Sequence, residues 1–385
     1  MSLETDVRAE LNQLAAIGRL RVPRVVDGAQ GPRIVLDGAQ VLDLASNDYL
    51  SLASDPRLIA AAKAAADEVG VGAGASRLIV GNHRLHMELE ATIAEWLRTG
   101  AARLFGSGYA ANVGTISALL APGDVVFSDE LNHASIIDGC RLAKAEIVVF
   151  PHRDLGVLDA QLRTHGGRRR LVVSESLFSM DGDLADVEGL AALAKKYEAA
   201  FMLDEAHAFG ARGPEGRGLA AALGVVPDLV VGTCGKALGS YGAFVASSVA
   251  VSKLLWNRAR SLVFSTALPP MVSASVLAAI GIVRSSEGDD RRRKLAARAR
   301  QLRARVRGLG GDADSAIAPL VIGDDARVME ISARMYERRV FVQGIRYPTV
   351  PEATARLRLS LNAGHLEEDI EMASIALHDA MSQEP

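Results

Sequence analysis

The chain has 385 residues and a formal net charge of −3, with 49% hydrophobic and 4% aromatic residues. This length allows two domains that each have a core of their own, and the small negative charge gives no electrostatic reason to expect a nucleic-acid partner. The apolar runs all stay well short of the roughly 18 residues that a membrane-spanning helix needs. Because the chain has two cysteines, Cys140 and Cys234, and no signal-peptide pattern after Met1, we expect a cytoplasmic protein.

The predicted elements begin with an amphipathic helix over 4–20 and a hairpin formed by 34–38 and 41–44. From about residue 55 onward, helical patterns alternate with short apolar runs that predict strands. These strands cover 101–105, 124–128, 146–150, 171–174, 200–203, 229–231 and 243–247. Such alternation is typical of an α/β fold, in which helices cover both faces of a mostly parallel sheet, here of seven strands.

The pattern changes after a predicted helix over 288–308. The last hundred residues carry short strands, at 317–322, 340–342 and 357–361, that indicate a smaller α+β domain. The predicted organisation is therefore an N-terminal arm with helix and hairpin (1–45), a large domain (46–285) and a small C-terminal domain (286–385).

An arginine-rich segment from Arg291 to Arg307 raises the question of a nucleic-acid surface. Leu295, Ala299 and Leu302 recur through it at helical spacing, which predicts one apolar helix face packed on the protein. We therefore interpret the arginines as the solvated face of a helix.

Polar residues follow the predicted strands at the points where these strands end. Because ligands bind at the carboxyl ends of parallel strands, these residues are candidates for one site. They are Gly106 to Tyr109, Asp129 to His133, Ser174 to Ser179, Asp204 with His207, and Thr233 with Lys236.

Lys236 and Asp204 carry the most specific chemistry among these candidates. Lys236 lies in a glycine-flanked turn after one strand, and Asp204 ends another strand, with His207 three positions further on. Alone, the lysine would be read as a solvated loop residue and the acid as a helix N-cap. Together they supply the amine that forms a Schiff base with pyridoxal phosphate (PLP) and the carboxylate that keeps its pyridine nitrogen protonated. The pair predicts a PLP-dependent enzyme.

Two other classes of protein share parts of this pattern. The segment from Gly106 to Ala111 can hold a phosphate at a helix start, and it also fits the G-x-G-x-x-A fingerprint of an NAD-dependent dehydrogenase. Asp129 lies about twenty residues further on, where a ribose-binding acid is expected. This distant alternative gives no reason for the pair of Lys236 and Asp204. Asp204 to His207 also matches a helicase box, but no phosphate-binding loop precedes it.

Arg358 lies inside an apolar alternation from Leu357 to Leu361. Burying a guanidinium in such a strand is costly unless an anion meets it, and arginine grips a carboxylate with two hydrogen bonds. We therefore expect Arg358 to bind the carboxylate of an amino-acid substrate.

Seven short motifs are spread over nearly the whole chain: Ser46 to Leu50, Gly72 to Arg77, Gly81 to His83, Asn132 to Ser135, Phe178 to Asp183, Asp204 to His207 and Thr233 to Lys236. With these motifs the sequence resembles the α-oxoamine synthases, which are PLP enzymes of fold type I. The resemblance implies a homodimer with shared active sites that joins an amino acid to an acyl thioester with loss of carbon dioxide.

The resemblance also assigns roles to residues around the cofactor. Lys236 would be the Schiff-base lysine and acid–base catalyst, Asp204 the partner of the pyridine nitrogen, and His133 the histidine stacked on the ring. His207, counted with these three as catalytic, and Ser179 would contact the cofactor. Further contacts at the phosphate or ring edge are expected from Gly108, Tyr109 and Thr233.

For the substrates, the resemblance implies that Asn47 and Arg358 hold the amino-acid carboxylate, and that Arg21 and Thr349 contact the acyl group. No metal is implied. The segment from Ile345 to Leu359 is most similar to the biotin-pathway branch, which uses L-alanine and a pimeloyl thioester of coenzyme A or acyl carrier protein. Other branches remain alternatives: glycine C-acetyltransferase, 5-aminolevulinate synthase and serine palmitoyltransferase.

Overall fold

The computed structural model describes residues 2–382. Its strands are β1 (Val26–Asp27), β2 (Arg33–Leu36), β3 (Ala39–Asp43), β4 (Ala101–Phe105), β5 (Val125–Asp129), β6 (Glu146–Phe150), β7 (Arg170–Glu175), β8 (Ala200–Asp204), β9 (Leu229–Thr233), β10 (Ala243–Ser247), β11 (Ile317–Gly323), β12 (Val340–Phe341), β13 (Gln343–Ile345) and β14 (Ala355–Ser360). Its α-helices are α1 (Leu3–Ala16), α2 (Pro56–Val69), α3 (Arg84–Leu97), α4 (Gly108–Leu119), α5 (Ala134–Ala143), α6 (Leu155–Thr164), α7 (Val187–Lys196), α8 (Leu219–Leu223), α9 (Val249–Arg258), α10 (Arg260–Val263), α11 (Pro270–Val283), α12 (Ser286–Arg305), α13 (Asp325–Glu337) and α14 (Glu367–Ser382).

The chain forms two compact units. The larger unit consists of Asp48–Ser179 and Asp183–Arg293. The smaller unit consists of the residues up to Asn47, Met180–Gly182 and the residues from Lys294 on. The domain boundaries predicted from the sequence, at 45/46 and 285/286, stay predictions.

The larger unit is built on a seven-stranded sheet of order β4-β10-β9-β8-β7-β5-β6. Strands β5 to β9 run parallel to one another, and β10 runs antiparallel to both β4 and β9. Val126, Val173, Met202 and Val231 lie in its core with no more than traces of exposure. Central strands that are buried on both faces need such continuous apolar runs. The predicted mostly parallel sheet flanked by helices is confirmed.

The smaller unit contains two antiparallel or mixed sheets. One has the order β1-β2-β3-β12, in which β12 pairs in parallel with β3, and the other has the order β11-β14-β13. All six residues of β14 are buried, since this strand is paired on both sides. The predicted smaller C-terminal α+β part is confirmed.

The opening helix differs from its prediction in length and in packing. It ends at Ala16 rather than near residue 20, because Gly18 adopts a φ of 67° and the amide of Arg19 bonds back to Leu14. None of its residues is buried in the single chain, and the expected apolar side, including Leu11 and Leu14, is exposed.

Candidate active site

Two carboxylic acids and one hydroxyl group end adjacent strands of the large sheet. Glu175 ends β7, Asp204 ends β8 and Thr233 ends β9, and the strand register pairs Glu175 directly with Asp204. All three are buried. The sheet therefore gathers the polar groups at one edge, as the sequence predicts.

Lys236 lies in the turn after β9 and contacts His207. Its Nζ is 2.7 Å from His207 Nε2, and the other ring nitrogen, Nδ1, is 2.6 Å from the hydroxyl of Tyr49. An ammonium group can only donate, so a charged Lys236 makes Nε2 the acceptor and leaves the imidazole proton on Nδ1, facing Tyr49. Tyr49 is fully buried. The imidazole thus connects the reactive amine to a phenol inside the protein.

The turn that carries Lys236 depends on a glycine three residues later. Gly239 has a φ of 60°, and a Cβ there would lie 2.4 Å from the backbone amide of Ala53. Gly239 also donates its amide to the carbonyl of Lys236, at 2.9 Å. Any side chain at Gly239 would displace the turn, because both the conformation and the space exclude it.

Asp204 is held by a short hydrogen-bond network that leads to His133. Asn112 donates from Nδ2 to Asp204 Oδ2 at 2.7 Å and to Ser135 Oγ at 2.9 Å. Ser135 Oγ lies 2.8 Å from His133 Nδ1, which also accepts from the Ser135 amide. Asp204 Oδ1 accepts from the amide of Ala206. The network fixes the acid and the histidine in one arrangement.

His133 begins α5 as its N-cap and keeps an exposed face. Desolvation by the surrounding protein lowers the pKa of its imidazole; the charge of Asp204 raises it and that of Lys236 lowers it. Since Nδ1 accepts hydrogen bonds, a neutral ring carries its proton on Nε2. A neutral flat ring with one open face is suited to stacking on an aromatic cofactor.

Glu175 is a buried carboxyl group that the sequence reasoning did not select. Burial raises its pKa, the charge of Asp204 raises it further, and Lys236 lowers it. Hydrogen bonds from the amides of His133 and Ser179 also lower this pKa. Among the described residues, its Oε1 has no hydrogen-bond partner. Ser179 thus lies in the loop after β7, against the same carboxyl group.

The start of α4 offers a cradle for a phosphate. Ser107 caps the helix by accepting from the amide of Ala110, and a Cβ added at Gly106 or Gly108 would meet no atom within 4 Å. The first amides of a helix, here those of Gly108 and Tyr109, have no acceptor within the helix and attract anions. Open space, helix amides, a lysine and a carboxylate at a neighbouring strand end together fit PLP.

Two further residues that are predicted to contact the cofactor make hydrogen bonds within the chain. Thr233 donates from Oγ1 to the carbonyl of Gly242 at 3.1 Å and accepts from the amide of Gly235. The exposed Tyr109 donates its phenol to the carboxylate of Asp138, which raises the pKa of the tyrosine. Thr233 is buried at the end of β9, whereas Tyr109 is exposed in the first turn of α4.

The predicted substrate residues lie in the smaller unit and form two separate pairs. Arg358, in the middle of β14, donates to Asn47 Oδ1 at 3.2 Å and to Ser360 Oγ at 2.7 Å. It is 6% exposed. Arg21 donates to Thr349 Oγ1 at 3.0 Å, and both residues are exposed. The structure therefore brings together each pair that the resemblance assigns to one substrate.

Asp129, the candidate ribose-binding acid of the dehydrogenase alternative, is committed to protein groups. Its carboxylate accepts from the amides of Leu131 and Arg153 and contacts His152 Nδ1 at 3.0 Å.

Within residues 2–382, no group of three or more His, Cys, Asp or Glu side chains is placed to hold a metal ion. In that same part of the chain, no helix has the length and apolarity needed to span a membrane.

The residues that sequence reasoning missed are Tyr49, Asn112 and Glu175. Tyr49 lies within a motif that carried the resemblance, and Glu175 within the polar group after β7, so both had a weak signal. Asn112 is one polar residue in an apolar helix, and its contact with Asp204 depends on which helix covers which strand.

Residues 39–377 match the family of class I and II aminotransferases. The chain is 47% identical over 371 residues to the 8-amino-7-oxononanoate synthase of Citrifermentans bemidjiense, covering 95% of each chain. It is likewise 47% identical over 378 residues to that of Geobacter sulfurreducens, covering 97% of each.

The chain is also similar to solved structures of PLP enzymes. A serine palmitoyltransferase from S. paucimobilis with bound PLP–myriocin aldimine has a TM-score of 0.92 at 31% identity, covering 99% of this chain and 100% of that one. An 8-amino-7-oxononanoate synthase from Francisella tularensis has a TM-score of 0.75 at 26% identity, covering 89% of this chain and 98% of that one.

Proposed function

We propose that the chain, which belongs to the class I and II aminotransferase family and within it to the 8-amino-7-oxononanoate synthases, condenses L-alanine with a pimeloyl thioester. The products are 8-amino-7-oxononanoate, carbon dioxide and free thiol, in biotin biosynthesis. The predicted PLP fold type I and the predicted resemblance are confirmed. The dehydrogenase alternative is not supported.

The observation that carries this proposal is the placement of Lys236 and Asp204. The amine lies in the turn after β9, the acid ends the adjacent strand β8, and His207 contacts the amine at 2.7 Å. This is the arrangement that a PLP enzyme needs, in a chain 47% identical to named synthases. PLP is therefore the cofactor of the reaction.

When bound, PLP supplies an aldehyde that takes up amines and a ring that accepts electrons. Lys236 Nζ is the base that removes the proton from alanine Cα and later returns a proton there. Asp204 holds a proton at the pyridine nitrogen, and Asn112 fixes the orientation of its carboxylate. His207 accepts a hydrogen bond from the charged amine and is itself hydrogen-bonded to Tyr49.

The bond changes balance when one proton is taken up from solvent. A carbon–carbon bond forms between alanine Cα and the acyl carbon while the carbon–sulfur bond breaks, and the sulfur leaves as a thiolate that a solvent proton converts to the free thiol. The alanine carboxyl group then leaves as carbon dioxide. Lys236 returns to Cα the proton that it removed, so the reaction is a decarboxylative acyl transfer.

Two pairs of side chains are proposed to hold the substrates. Arg358 and Asn47, joined by a hydrogen bond, are proposed to bind the alanine carboxylate, since arginine offers two parallel donors. Arg21 and Thr349 are proposed to contact the acyl group. His133 is proposed to stack on the cofactor ring, with Ser179, Thr233, Gly108 and Tyr109 around its edge and phosphate.

We further propose a homodimer in the cytoplasm. Val71, Ile79 and Val80 are apolar side chains that are 68%, 70% and 78% exposed in the single chain, beside the Gly72–Arg77 motif. The apolar side of α1 is exposed as well. Exposed large apolar side chains in this number are typical of a surface that another protein covers, and a second copy is the simplest partner.

A thiol-release assay tests the proposed function. The purified protein, loaded with PLP, is supplied with L-alanine, glycine or L-serine against pimeloyl and acetyl thioesters of coenzyme A. Alanine with the pimeloyl thioester should give the highest kcat/KM. Turnover with glycine and acetyl thioester but none with alanine and pimeloyl thioester would instead place the chain with the glycine C-acetyltransferases.

A further inference from the structure

A cavity of about 650 Å³ lies within the smaller unit, beside the pair of Arg21 and Thr349. Much of its wall is apolar and includes Leu36, Met329 and Phe341. Such a wall suits a methylene chain, because apolar contacts need no hydrogen-bond partners.

The cavity is strongly positive. Arg21, Arg24 and Arg346 line it, and no acidic residue of the described chain does. Arg24 is paired with a carboxylate, since it donates to Asp37 at 3.1 Å. The remaining positive groups that face the cavity are therefore Arg21 and Arg346.

Arg346 is the more unusual of the two. It is 8% exposed, and its two terminal nitrogens donate to the Met329 sulfur and the Leu20 carbonyl, each at 2.9 Å. Its Nε has no hydrogen-bond partner among residues 2–382. Burial lowers its pKa, as does the charge of Arg21, while Asp325 raises it. A thioether is a weak acceptor, so the Leu20 carbonyl is the one good acceptor of these two, and neither of them carries a negative charge.

A buried guanidinium whose hydrogen-bond partners are both uncharged is costly unless an anion meets it. The anion must suit a pocket with an apolar wall and one buried arginine fork, which describes a carboxylate at the end of a methylene chain. Phosphates of coenzyme A are the second possible source of negative charge, but they carry no apolar chain to fill the wall.

We propose that Arg346, with Arg21, binds the distal carboxylate of the acyl donor, and so makes the protein selective for acyl thioesters that end in a second carboxyl group. This inference rests on the proposed function and names the residue that selects its acyl substrate. The pimeloyl chain has this chemistry, whereas the heptanoyl chain has the same number of carbons without the carboxylate.

The test compares pimeloyl- and heptanoyl-coenzyme A with saturating L-alanine. Wild-type protein should prefer the pimeloyl thioester by about ten- to a hundredfold in kcat/KM, the range of one charge-assisted hydrogen bond or slightly more. Arg346→Gln should lose this preference by raising KM for the pimeloyl thioester alone. Arg346→Lys, which keeps the charge without the fork, should show an intermediate preference. Arg24→Gln is the matched control and should keep the wild-type preference.

Thioesters of N-acetylcysteamine, which carry no phosphate, separate the two sources of charge. The preference for pimeloyl should persist with them. If Arg346→Gln weakens both coenzyme A thioesters equally and leaves the N-acetylcysteamine thioesters unaffected, the arginine binds phosphate and the inference is wrong.

Failure of the inference and failure of the proposed function give different results. Equal use of pimeloyl and heptanoyl thioesters by wild-type protein would overturn the inference and leave the function standing. No turnover of either thioester with alanine would overturn the function itself. The wild-type comparison does not depend on the variants being folded, and a melting curve identifies any variant that is not.

Discussion

Replacing Arg358 with lysine separates a substrate-binding role from a structural one. Arg358→Lys keeps the positive charge in β14 but removes the fork that now reaches Asn47 and Ser360. If the fork binds the alanine carboxylate, about one charge-assisted hydrogen bond is lost, worth about 1.5–3 kcal/mol. At about 1.4 kcal/mol for each factor of ten, the dissociation constant for alanine should rise about ten- to a hundredfold.

The control lies two residues away on the same face of the same strand. Arg356 is buried to the same degree but is paired with the carboxylate of Asp181, so Arg356→Lys should affect stability and leave alanine affinity nearly unchanged. Alanine binding is measured by spectral titration of the PLP-loaded protein, and stability by thermal melting. The reasoning is refuted if the two variants lose the same amount of stability and both bind alanine normally.

Three further predictions concern other charged groups. Asp204→Asn should fold and retain much of the cofactor but lose most of its rate, because an amide cannot hold a proton at the pyridine nitrogen; near-normal turnover would reduce the acid to a structural role. Borohydride reduction followed by peptide mapping should place a pyridoxyl group on Lys236, and a label on another residue would contradict the assignment. Burial alone would lower the pKa of His152, but hydrogen bonds to Asp129 and Asp183 raise it to about 9. This raised pKa stabilises the fold by up to about 3 kcal/mol below about pH 6.5, a contribution lost as the pH rises through 9; urea unfolding at pH 6 and 9.5 should show this loss in wild-type protein and not in His152→Asn.

The strands of the large sheet could be predicted from the sequence because each is a short, continuous apolar run between helices. The bounds predicted for β4, β6 and β10 agree with the structure, and those of β7 differ by one residue at each end. Strand ends are set by pairing with neighbours, which periodicity does not encode. The predicted end of α1 was wrong. Gly18 is the residue that ends the helix, but the apolar spacing continues beyond it and led the prediction to residue 20.

The chemistry at the strand ends could be predicted because Lys236 and Asp204 have few other reasons to occupy such positions. The groups that tune them could not. Glu175 stands beside Asp204 only because β7 and β8 are neighbours in register, and Asn112 reaches Asp204 from a helix far away in the chain. Arg346 was read as part of a motif, and only the structure shows that it is buried and that its Nε has no hydrogen-bond partner in the described part of the chain.

The most direct test of the account follows the carboxyl carbon of alanine. The PLP-loaded protein is incubated with pimeloyl-coenzyme A and L-alanine labelled with carbon-13 at either C1 or C2, and the products are analysed by mass spectrometry. We predict that the C1 label appears entirely in carbon dioxide, that the C2 label appears in 8-amino-7-oxononanoate, and that one thiol is released for each carbon dioxide. Retention of the C1 label in the product, or thiol release without carbon dioxide, would contradict decarboxylative condensation.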